Sequence, residues 1–415
     1  MRLSVRPTVL RLPLVVLVLA LATSFAPAAA ARAGAAGGEV RALWVTRSIL
    51  TKPESIAAMV ESAHRSGFNT LLVQVRGRGD AYYASRHEPR PRLLAAGGPD
   101  FDPLALTIAL ARERNLRVHA WVNVNLVSSG ADLPTASTHL VYRHPEWLMV
   151  PRALAYELSR IDPRSPEYVG RLARWTRARA SDIEGLYASP IHPGAADHVA
   201  EVVRDLVASY DLDGLHLDYI RYPGAEFDFS RGALLEFRRS IDTDMTPEER
   251  ARFDTADFSA LVGATERFPG RWAEFRRSRL NALLMRVRTV AKTERPSLTL
   301  SAAVFPDADE ALRIKLQDWR GWLDLGLLDV VCPMAYTPDA ALFASQIAAV
   351  RQLPGAHGVW VGIGAYRLSS AQTVDKIRIA RRLGADGVIL FSYDSLARTA
   401  GSGALSSIGR AVFTP

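Results

Sequence analysis

The chain has 415 residues, which is enough for one large domain with a substantial core, and its formal net charge is +8 at pH 7. Only four of its 51 basic residues are lysines, and no basic run interleaved with aromatic residues occurs, so the charge does not have the pattern of a nucleic-acid-binding surface. A single cysteine excludes an intrachain disulfide, and the apolar run Val330–Cys332 predicts that Cys332 packs as a small hydrophobic residue.

The N-terminal segment, residues 1–33, has the order of a secretory signal peptide. A basic start is followed by the apolar run Leu14–Leu21 and then by small residues, with Ala28–Ala30 and Ala31–Ala33 as candidate cleavage sites. Cleavage would lower the net charge from +8 to +4 by removing four arginines, namely Arg2, Arg6, Arg11 and Arg32. We therefore expect a signal peptide over residues 1–33 and one domain over residues 34–415, secreted or held in the periplasm or cell envelope without stable membrane insertion. An uncleaved N-terminal anchor is the alternative.

Strand-like and helix-like segments alternate along the rest of the chain. The predicted strands are Val40–Thr46, Asn69–Arg76, Leu116–Asn123, the part of Asp213–Pro223 that ends at Asp218, Leu298–Phe305, Leu328–Tyr336, Gly358–Gly364 and Gly387–Tyr393. This alternation predicts an α/β fold, a (β/α)8 TIM barrel, with an open doubly wound sheet as the alternative. No glycine-rich phosphate-binding loop follows the first strand, which argues against a nucleotide-binding version of the open sheet.

Capping residues mark two helix starts, and two long segments interrupt the alternation. Thr51–Glu54 has the pattern of a capping box, and Asp102 stands before Pro103 at the start of another predicted helix. Residues 126–190 and 224–269 are rich in turns, prolines and charges. They predict long insertions in the loops after strands 3 and 4.

Polar side chains share one face on three neighbouring predicted strands. Successive side chains of a strand point to opposite faces. The residues that alternate with aliphatic ones are Gln74 and Arg76 in the second strand, His119, Trp121 and Asn123 in the third, and His216 and Asp218 in the fourth. A barrel turns its aliphatic face to the helices, so these residues are predicted to point inward. They would give a polar, aromatic-lined pocket suited to a sugar, although each of them alone is also compatible with a satisfied polar group in the core.

Asp218 ends the fourth strand, at the edge of the fold where catalytic groups are placed, and it is the main catalytic candidate. Arg221 follows it and is expected to keep the carboxylate ionised. Other acidic residues also follow predicted strands, namely Asp80, Glu88, Asp307, Asp309, Asp339 and Asp394. Glycoside hydrolysis usually needs two carboxyls, so the partner is expected to be Asp307, Asp394 or Glu88, in that order.

A metal site is a weaker interpretation of the same residues. His119, His216 and Asp218 are all possible ligands, but the sequence has no closely spaced zinc motif. We therefore expect neither a metal nor another cofactor.

Several short motifs, in order and at barrel spacing, resemble one known family. They are Arg41–Val45, Phe101–Ala105, Val118–Asn123, Asp213–Pro223 and Val331–Tyr336. The chain resembles glycosyl hydrolase-like family 10 from about Glu39 to Leu396. The resemblance implies a secreted or envelope TIM-barrel glycosidase in which Asp218 is the catalytic residue. The family often has two adjacent acids at this point, whereas Leu217–Tyr219 keeps one.

Two functions of different class follow. The first is a secreted hydrolase of O-glycosidic bonds in a polysaccharide, with peptidoglycan glycan strands as a candidate because some family members are similar to enzymes that cleave such strands. Asp218 would be the nucleophile or electrostatic stabiliser. The predicted substrate-binding residues are Gln74, Arg76, His119, Trp121, Asn123, His216, Tyr219, Arg221, Tyr336 and Tyr393. The second is a non-catalytic carbohydrate-binding barrel, and a second carboxyl roughly 5–9 Å from Asp218 would favour the enzyme.

Overall fold

Eight parallel strands close into a barrel in which each strand pairs with the next one along the chain. The computed structural model describes residues 1, 38–253, 257–353, 355, 357–398 and 403–413, so the predicted signal peptide lies outside the described residues apart from Met1. The barrel strands are β1 (Val40–Val45), β2 (Thr70–Arg76), β3 (Arg117–Asn123), β4 (Gly214–Asp218), β5 (Thr299–Val304), β6 (Val330–Pro333), β7 (Gly358–Ile363) and β8 (Gly387–Phe391). The predicted (β/α)8 barrel is confirmed.

Helices separate the barrel strands and cover the outside of the barrel. Their bounds are Pro53–Arg65, Pro103–Glu113, Leu140–Arg143, Ala155–Leu158, Pro166–Arg177, Pro193–Ser209, Arg231–Ser240, Pro247–Phe253, Phe258–Arg267, Pro269–Glu294, Ala308–Ile314, Trp319–Asp324, Ala340–Arg351, Ser370–Arg382, Tyr393–Arg398 and Ala404–Val412. None of the helices in the described part of the chain combines the length and the apolar character needed to cross a membrane.

One of the two predicted helix caps is confirmed. The carboxylate of Asp102 accepts a hydrogen bond from the backbone N–H of Ala105 at 3.0 Å, as an N-cap residue does. The predicted capping box at Thr51 is wrong. The helix begins at Pro53 after Lys52, which makes no capping bond, and the Thr51 hydroxyl turns back to the carbonyl of Ser48 instead.

The barrel interior is aromatic as well as aliphatic. Its buried hydrophobic side chains are Val40, Ala42, Trp44, Leu72, Trp121, Val330, Cys332, Trp360 and Ile389. Cys332 has no exposed surface, which confirms its predicted packing, and burial raises the pKa of its thiol. Large rings fill the interior below the carboxyl ends of the strands, so they form a solid floor rather than a pore.

The two segments expected as loop insertions lie between β3 and β4 and between β4 and β5. The first contains a short antiparallel sheet, in which Leu126–Ser129 pairs with Gly185–Tyr187. Helices from both segments pack around a second hydrophobic cluster whose members include Leu172, Phe237 and Trp272. This cluster holds together the two segments that follow the carboxyl ends of β3 and β4.

Candidate active site

A cleft of about 480 Å³ opens at the carboxyl ends of the barrel strands. Its lining combines aromatic rings, amides, hydroxyls and charged groups. The lining residues are Trp44, Thr46, Arg47, Ser48, Gln74, Arg78, Tyr82, Leu93, Trp121, Asn123, Leu126, Asp218, Tyr219, Arg221, Ala303, Met334, Tyr336 and Phe391. Flat rings beside amide and charged groups suit a sugar ring, which needs both stacking surfaces and hydrogen-bond partners.

Asp218 supplies a buried carboxylate to this cleft from the end of β4. Its residue is 8 % exposed, and it pairs in register with Asn123 of β3. Burial raises the pKa of the Asp218 carboxyl, while the positive charge of Arg221 and the N–H of Tyr219 oppose that rise. The balance leaves the pKa of Asp218 above the ordinary value of an aspartate.

Tyr219 holds an unusual backbone conformation directly after Asp218. Its φ is +51°, in the left-handed region that costs a residue with a Cβ about 1 kcal/mol or more. The backbone N–H of Tyr219 donates to Oδ1 of Asp218 at 2.7 Å and so holds one oxygen of the carboxylate in place.

Arg221 links Asp218 to a second carboxylate. Its Nη1 lies 3.5 Å from Oδ1 of Asp218, and its Nη2 lies 3.1 Å from Oε1 of Glu184. The guanidinium also stacks on the Tyr219 ring, 4.1 Å from the ring centroid. Burial by itself would raise the pKa of Glu184, but Arg221 and the hydroxyl of Tyr187 outweigh it and lower that pKa. Glu184 is therefore ionised, and its ion pair with Arg221 holds that guanidinium in place.

An aromatic wall stands on the β8 and β1 side of the cleft. Tyr336 stacks on Phe391 with ring centroids 5.6 Å apart, and Trp44 meets both rings edge-on. The exposed Tyr366 extends this wall at the rim, 5.8 Å from Phe391. Such rings provide the flat apolar faces on which pyranose rings stack.

His216 lies beneath this wall and positions it. The indole N–H of Trp44 donates to Nε2 of His216 at 3.0 Å, and because an indole only donates, Nε2 must be unprotonated. The proton of the neutral ring is then on Nδ1, which donates to the Ser301 hydroxyl at 2.9 Å. Burial lowers the pKa of His216 to about 3, so the ring is neutral at physiological pH.

An amide network also borders the cleft. Nη1 of Arg47 donates to Oε1 of Gln74 at 3.0 Å, and Nδ2 of Asn123 donates to the carbonyl of Gly77 at 2.7 Å. A Cβ added at Gly77 would lie 2.6 Å from Cδ of Arg47, so a larger residue there would displace the Arg47 side chain. The Arg47 side chain therefore lies across the backbone immediately before Arg78.

Seven of the predicted site residues line the cleft together: Gln74, Trp121, Asn123, Asp218, Tyr219, Arg221 and Tyr336. Their roles in binding or catalysis stay predictions. The remaining six predicted residues, together with Glu88, do not line the cleft.

Two histidines predicted to bind substrate are packed into the barrel instead. His119 is 1 % exposed and pairs with Gly214 near the start of β4, with its ring 5.4 Å from that of Trp360. It lies so close over Gly214 that an added Cβ there would be 2.1 Å from the imidazole. His216 has no exposed surface and contacts the cleft residues Trp44 and Trp121 from below. Strand parity gave the correct face for both but not their depth.

Arg76 leaves the interior face that it was predicted to share with Gln74. The pairing of β2 with β3 shifts register between these two residues, so that Gln74 opposes Trp121 whereas Arg76 opposes Val122. An irregularity of this kind reverses the alternation of side chains. Arg76 instead makes a buried ion pair with Glu88, at 2.6 Å.

The three acids predicted as partners of Asp218 have other contacts. Asp307 is exposed and caps the helix Ala308–Ile314, accepting from the N–H groups of Asp309 and Glu310 at 2.9 Å. Glu88 is bound by Arg76 and His198, which, against the effect of burial, lower its pKa to about 2.

Asp394 and Tyr393 follow β8 but do not line the cleft. Asp394 is 4 % exposed and accepts from the backbone N–H of Thr46 at 2.9 Å and from the Ser48 hydroxyl at 2.6 Å. It thereby holds the loop that carries Arg47. Tyr393 packs into the core between the barrel and its helices, and Phe391 takes the place in the cleft that was expected for it.

Sequence reasoning missed several cleft residues. They are Trp44, Arg47, Arg78, Tyr82, Phe391 and, behind Arg221, Glu184. Trp44 and Phe391 occupy interior positions near the ends of β1 and β8, and Arg47 and Arg78 come two residues after β1 and β2. A position at or just after the end of a strand was therefore a usable signal. Glu184 lies far from any barrel strand in sequence, and no local pattern marks it.

The motif order and the geometry of the cleft agree with a family match. The model of the family described as glycosyl hydrolase-like 10 matches residues 39–378. The chain belongs to this family. The match confirms the predicted family and extends over all the barrel strands except β8.

Two curated relatives were found at low identity. The chain is 25% identical over 210 residues to the glycosyl hydrolase YngK of Bacillus subtilis, covering 46% of this chain and 35% of the relative. It is 24% identical over 285 residues to the glycosyl hydrolase DigH of Escherichia coli, covering 67% of this chain and 57% of the relative. The chain thus spans between a third and three fifths of the length of these proteins.

Solved structures of similar fold are glycosidases of several kinds. The glycoside hydrolase domain of PgaB from Bordetella bronchiseptica has a TM-score of 0.60 and 15% identity, covering 89% of this chain and 98% of that domain. A β-galactosidase variant from G. stearothermophilus has a TM-score of 0.60 and 14% identity, covering 91% of this chain and 57% of the enzyme. At these identities the likeness establishes the barrel fold.

The indole N–H of Trp121 is expected to tune Asp218. This N–H is buried without a hydrogen-bond partner in the described part of the chain, yet it lies near enough to Asp218 to lower the pKa of that carboxyl. Trp121→Phe should therefore raise the pKa of Asp218 and move the acid limb of a kcat/KM profile to higher pH. Trp44→Phe is the matched control because the Trp44 indole donates to His216. Equal movement of the limb in both variants would contradict the assignment.

Proposed function

We propose that this protein is a secreted glycoside hydrolase that cleaves O-glycosidic bonds of a polysaccharide, with peptidoglycan glycan strands as the first substrate to test. The observation that carries the proposal is the Asp218 carboxylate, fixed by Arg221 and Tyr219 in a cleft that also has stacking rings and amides. Family membership and the names of the curated relatives support hydrolysis of glycosidic bonds. The choice of peptidoglycan as the first substrate rests on the family resemblance.

Asp218 is the reacting carboxylate in this proposal. Glycosidases pass through a transition state with oxocarbenium-ion character, which a nearby carboxylate stabilises or attacks. Arg221 favours the ionised form of Asp218, and the N–H of Tyr219 holds one carboxylate oxygen in place. Trp44, Tyr336 and Phe391 would stack on the sugar rings, and Gln74 and Asn123 would hydrogen-bond to hydroxyl groups. Glu184 acts as a positioning residue through Arg221.

Release of reducing ends tests the proposal. The purified protein would be incubated with peptidoglycan glycan strands freed of stem peptides and with a panel of neutral and acidic polysaccharides. New reducing ends, together with shorter products by mass spectrometry, are expected from at least one substrate. A protein that releases none from any substrate, while remaining folded, is not the proposed hydrolase.

A carbohydrate-binding barrel without catalysis is the second candidate, and one observation favours it. Asp218 is the one carboxylate among the described residues that line the cleft, whereas most glycosidases use two. Binding of an oligosaccharide at the cleft without any release of reducing ends would select this function over hydrolysis.

Secretion is proposed from the order of charged, apolar and small residues over positions 1–33. Mass spectrometry of the exported protein is expected to find an N-terminus between Ala31 and Ala36. An exported protein that still begins at Met1 would contradict cleavage and favour an uncleaved anchor.

A further inference from the structure

Two arginines on the cleft wall lie close together, and neither forms an ion pair within the described part of the chain. Arg47 follows β1 and Arg78 follows β2, and both line the cleft. The Arg47 side chain crosses the backbone of Gly77, the residue next to Arg78. Burial, and after it the charge of Arg47, lower the pKa of Arg78, and the nearby Tyr219 and Asp80 oppose this effect without outweighing it.

Neither guanidinium forms an ion pair with any described residue. Arg47 donates only to the neutral amide of Gln74 and contacts the hydroxyl of Tyr82. The side chain of Arg78 makes no hydrogen bond to the described part of the chain. Its backbone N–H donates to Oδ1 of Asp80, the nearest acid in sequence. By contrast Arg221, the third arginine of the cleft, is bound between Asp218 and Glu184.

This arrangement is suited to an anion from outside the protein. Adjacent like charges repel, and an anion bound between the two guanidinium groups would relieve that repulsion. Guanidinium groups match a carboxylate in shape and offer two parallel N–H donors to its oxygens. The amides of Gln74 and Asn123 lie beside the arginine pair and suit hydroxyl or acetamido groups of the same unit.

We propose that Arg47 and Arg78 form a subsite for the carboxylate of an acidic sugar in the glycan that occupies the cleft. This inference rests on the proposed function and deepens it, since it assigns an anionic unit to the substrate. The subsite lies in the same cleft as Asp218, so the acidic sugar would be bound at or next to the bond that is cleaved.

Binding of matched acidic and neutral ligands tests the subsite. All proteins would carry Asp218→Asn, so that no ligand is hydrolysed, and binding would be measured by titration calorimetry. The ligands are an alternating N-acetylglucosamine–N-acetylmuramic acid oligosaccharide, the same oligosaccharide with its carboxyls converted to methyl amides, and an oligogalacturonate of equal length. The two acidic ligands distinguish a lactyl ether carboxylate from a uronic acid.

At least one acidic ligand is expected to bind about 10- to 100-fold more tightly than the neutral amide, the effect of one or two charge-assisted hydrogen bonds. Arg78→Gln should remove most of this preference, because it weakens binding of the acidic ligand more than binding of the amide. The preference should also weaken as salt is added. Arg160→Gln, at an exposed arginine outside the cleft, is the matched control and should retain the preference.

Two outcomes would overturn the inference, and they differ. If acidic and neutral ligands bind equally, or if Arg78→Gln keeps the preference, the carboxylate subsite is wrong while the glycan-binding cleft stands. If the folded Asp218→Asn protein binds none of the three ligands and the parent protein, with Asp218 intact, releases no reducing ends from the polysaccharide panel, the proposed function fails and the subsite fails with it.

Discussion

Asp218→Asn is expected to lower turnover by a factor on the order of a thousand, comparable to the loss of one preorganised electrostatic group. The substitution keeps the shape of the side chain and removes its charge, so folding and binding of neutral sugars should change little. Asp218 is the acidic group at the cleft surface, and both Arg221 and the N–H of Tyr219 act on it. Initial rates of reducing-end release, with thermal unfolding as a check on the fold, measure the effect.

Asp307→Asn is the matched control for this prediction. Asp307 was the preferred partner acid on sequence grounds, but it is an exposed helix cap, and asparagine caps a helix about as well as aspartate. Turnover of this variant should stay within about twofold of the parent. If Asp218→Asn keeps most of the activity, Asp218 is structural and the catalytic assignment must move to another strand.

Glu88→Gln is expected to destabilise the fold by about 3–5 kcal/mol, because it leaves the charge of a buried arginine without its partner. The side chains of Arg76 and Glu88 are each 1 % exposed, and Nε and Nη2 of Arg76 both donate to the carboxylate. Arg76 in turn donates to the carbonyl of Val124, just past the end of β3, so its orientation affects the chain that leads into the cleft. Denaturant unfolding would measure the loss.

The same ion pair should make stability depend on pH in a definite direction. The pKa of Glu88 is lowered to about 2 from an ordinary value of 4.5, so its contribution is present above about pH 4.5 and is lost as the pH falls towards 2. The difference in unfolding free energy between the parent and Glu88→Gln should shrink over that window. Glu274→Gln, in an exposed pair with Arg271, should cost less than about 0.5 kcal/mol. A similar cost for both variants would show that the buried pair contributes little.

The alternation of strand-like and helix-like segments in the sequence was enough to predict the barrel fold. Each barrel strand begins within two residues of its predicted start, because buried parallel strands are apolar runs bounded by turns and helices. Alternation also placed Gln74, Trp121, Asn123 and Asp218 on one face, and the structure brings all four to the cleft. The strand bounds and the strand faces can both be predicted because they follow from residues near in sequence and from the two-residue period of a strand.

Depth, register and distant pairing were decided by the tertiary structure. The alternation of side chains along a strand does not show that His119 lies low in the barrel, over Gly214. Side chains alternate between the two faces in the same way at both ends of a strand. The register shift in β2 that turns Arg76 away depends on how β2 pairs with β3. Glu184 reaches Arg221 across 37 residues of sequence, and Arg47 lies near Arg78 because β1 pairs with β2. Proximities of this kind depend on how separate segments of the chain pack together, which no local pattern encodes.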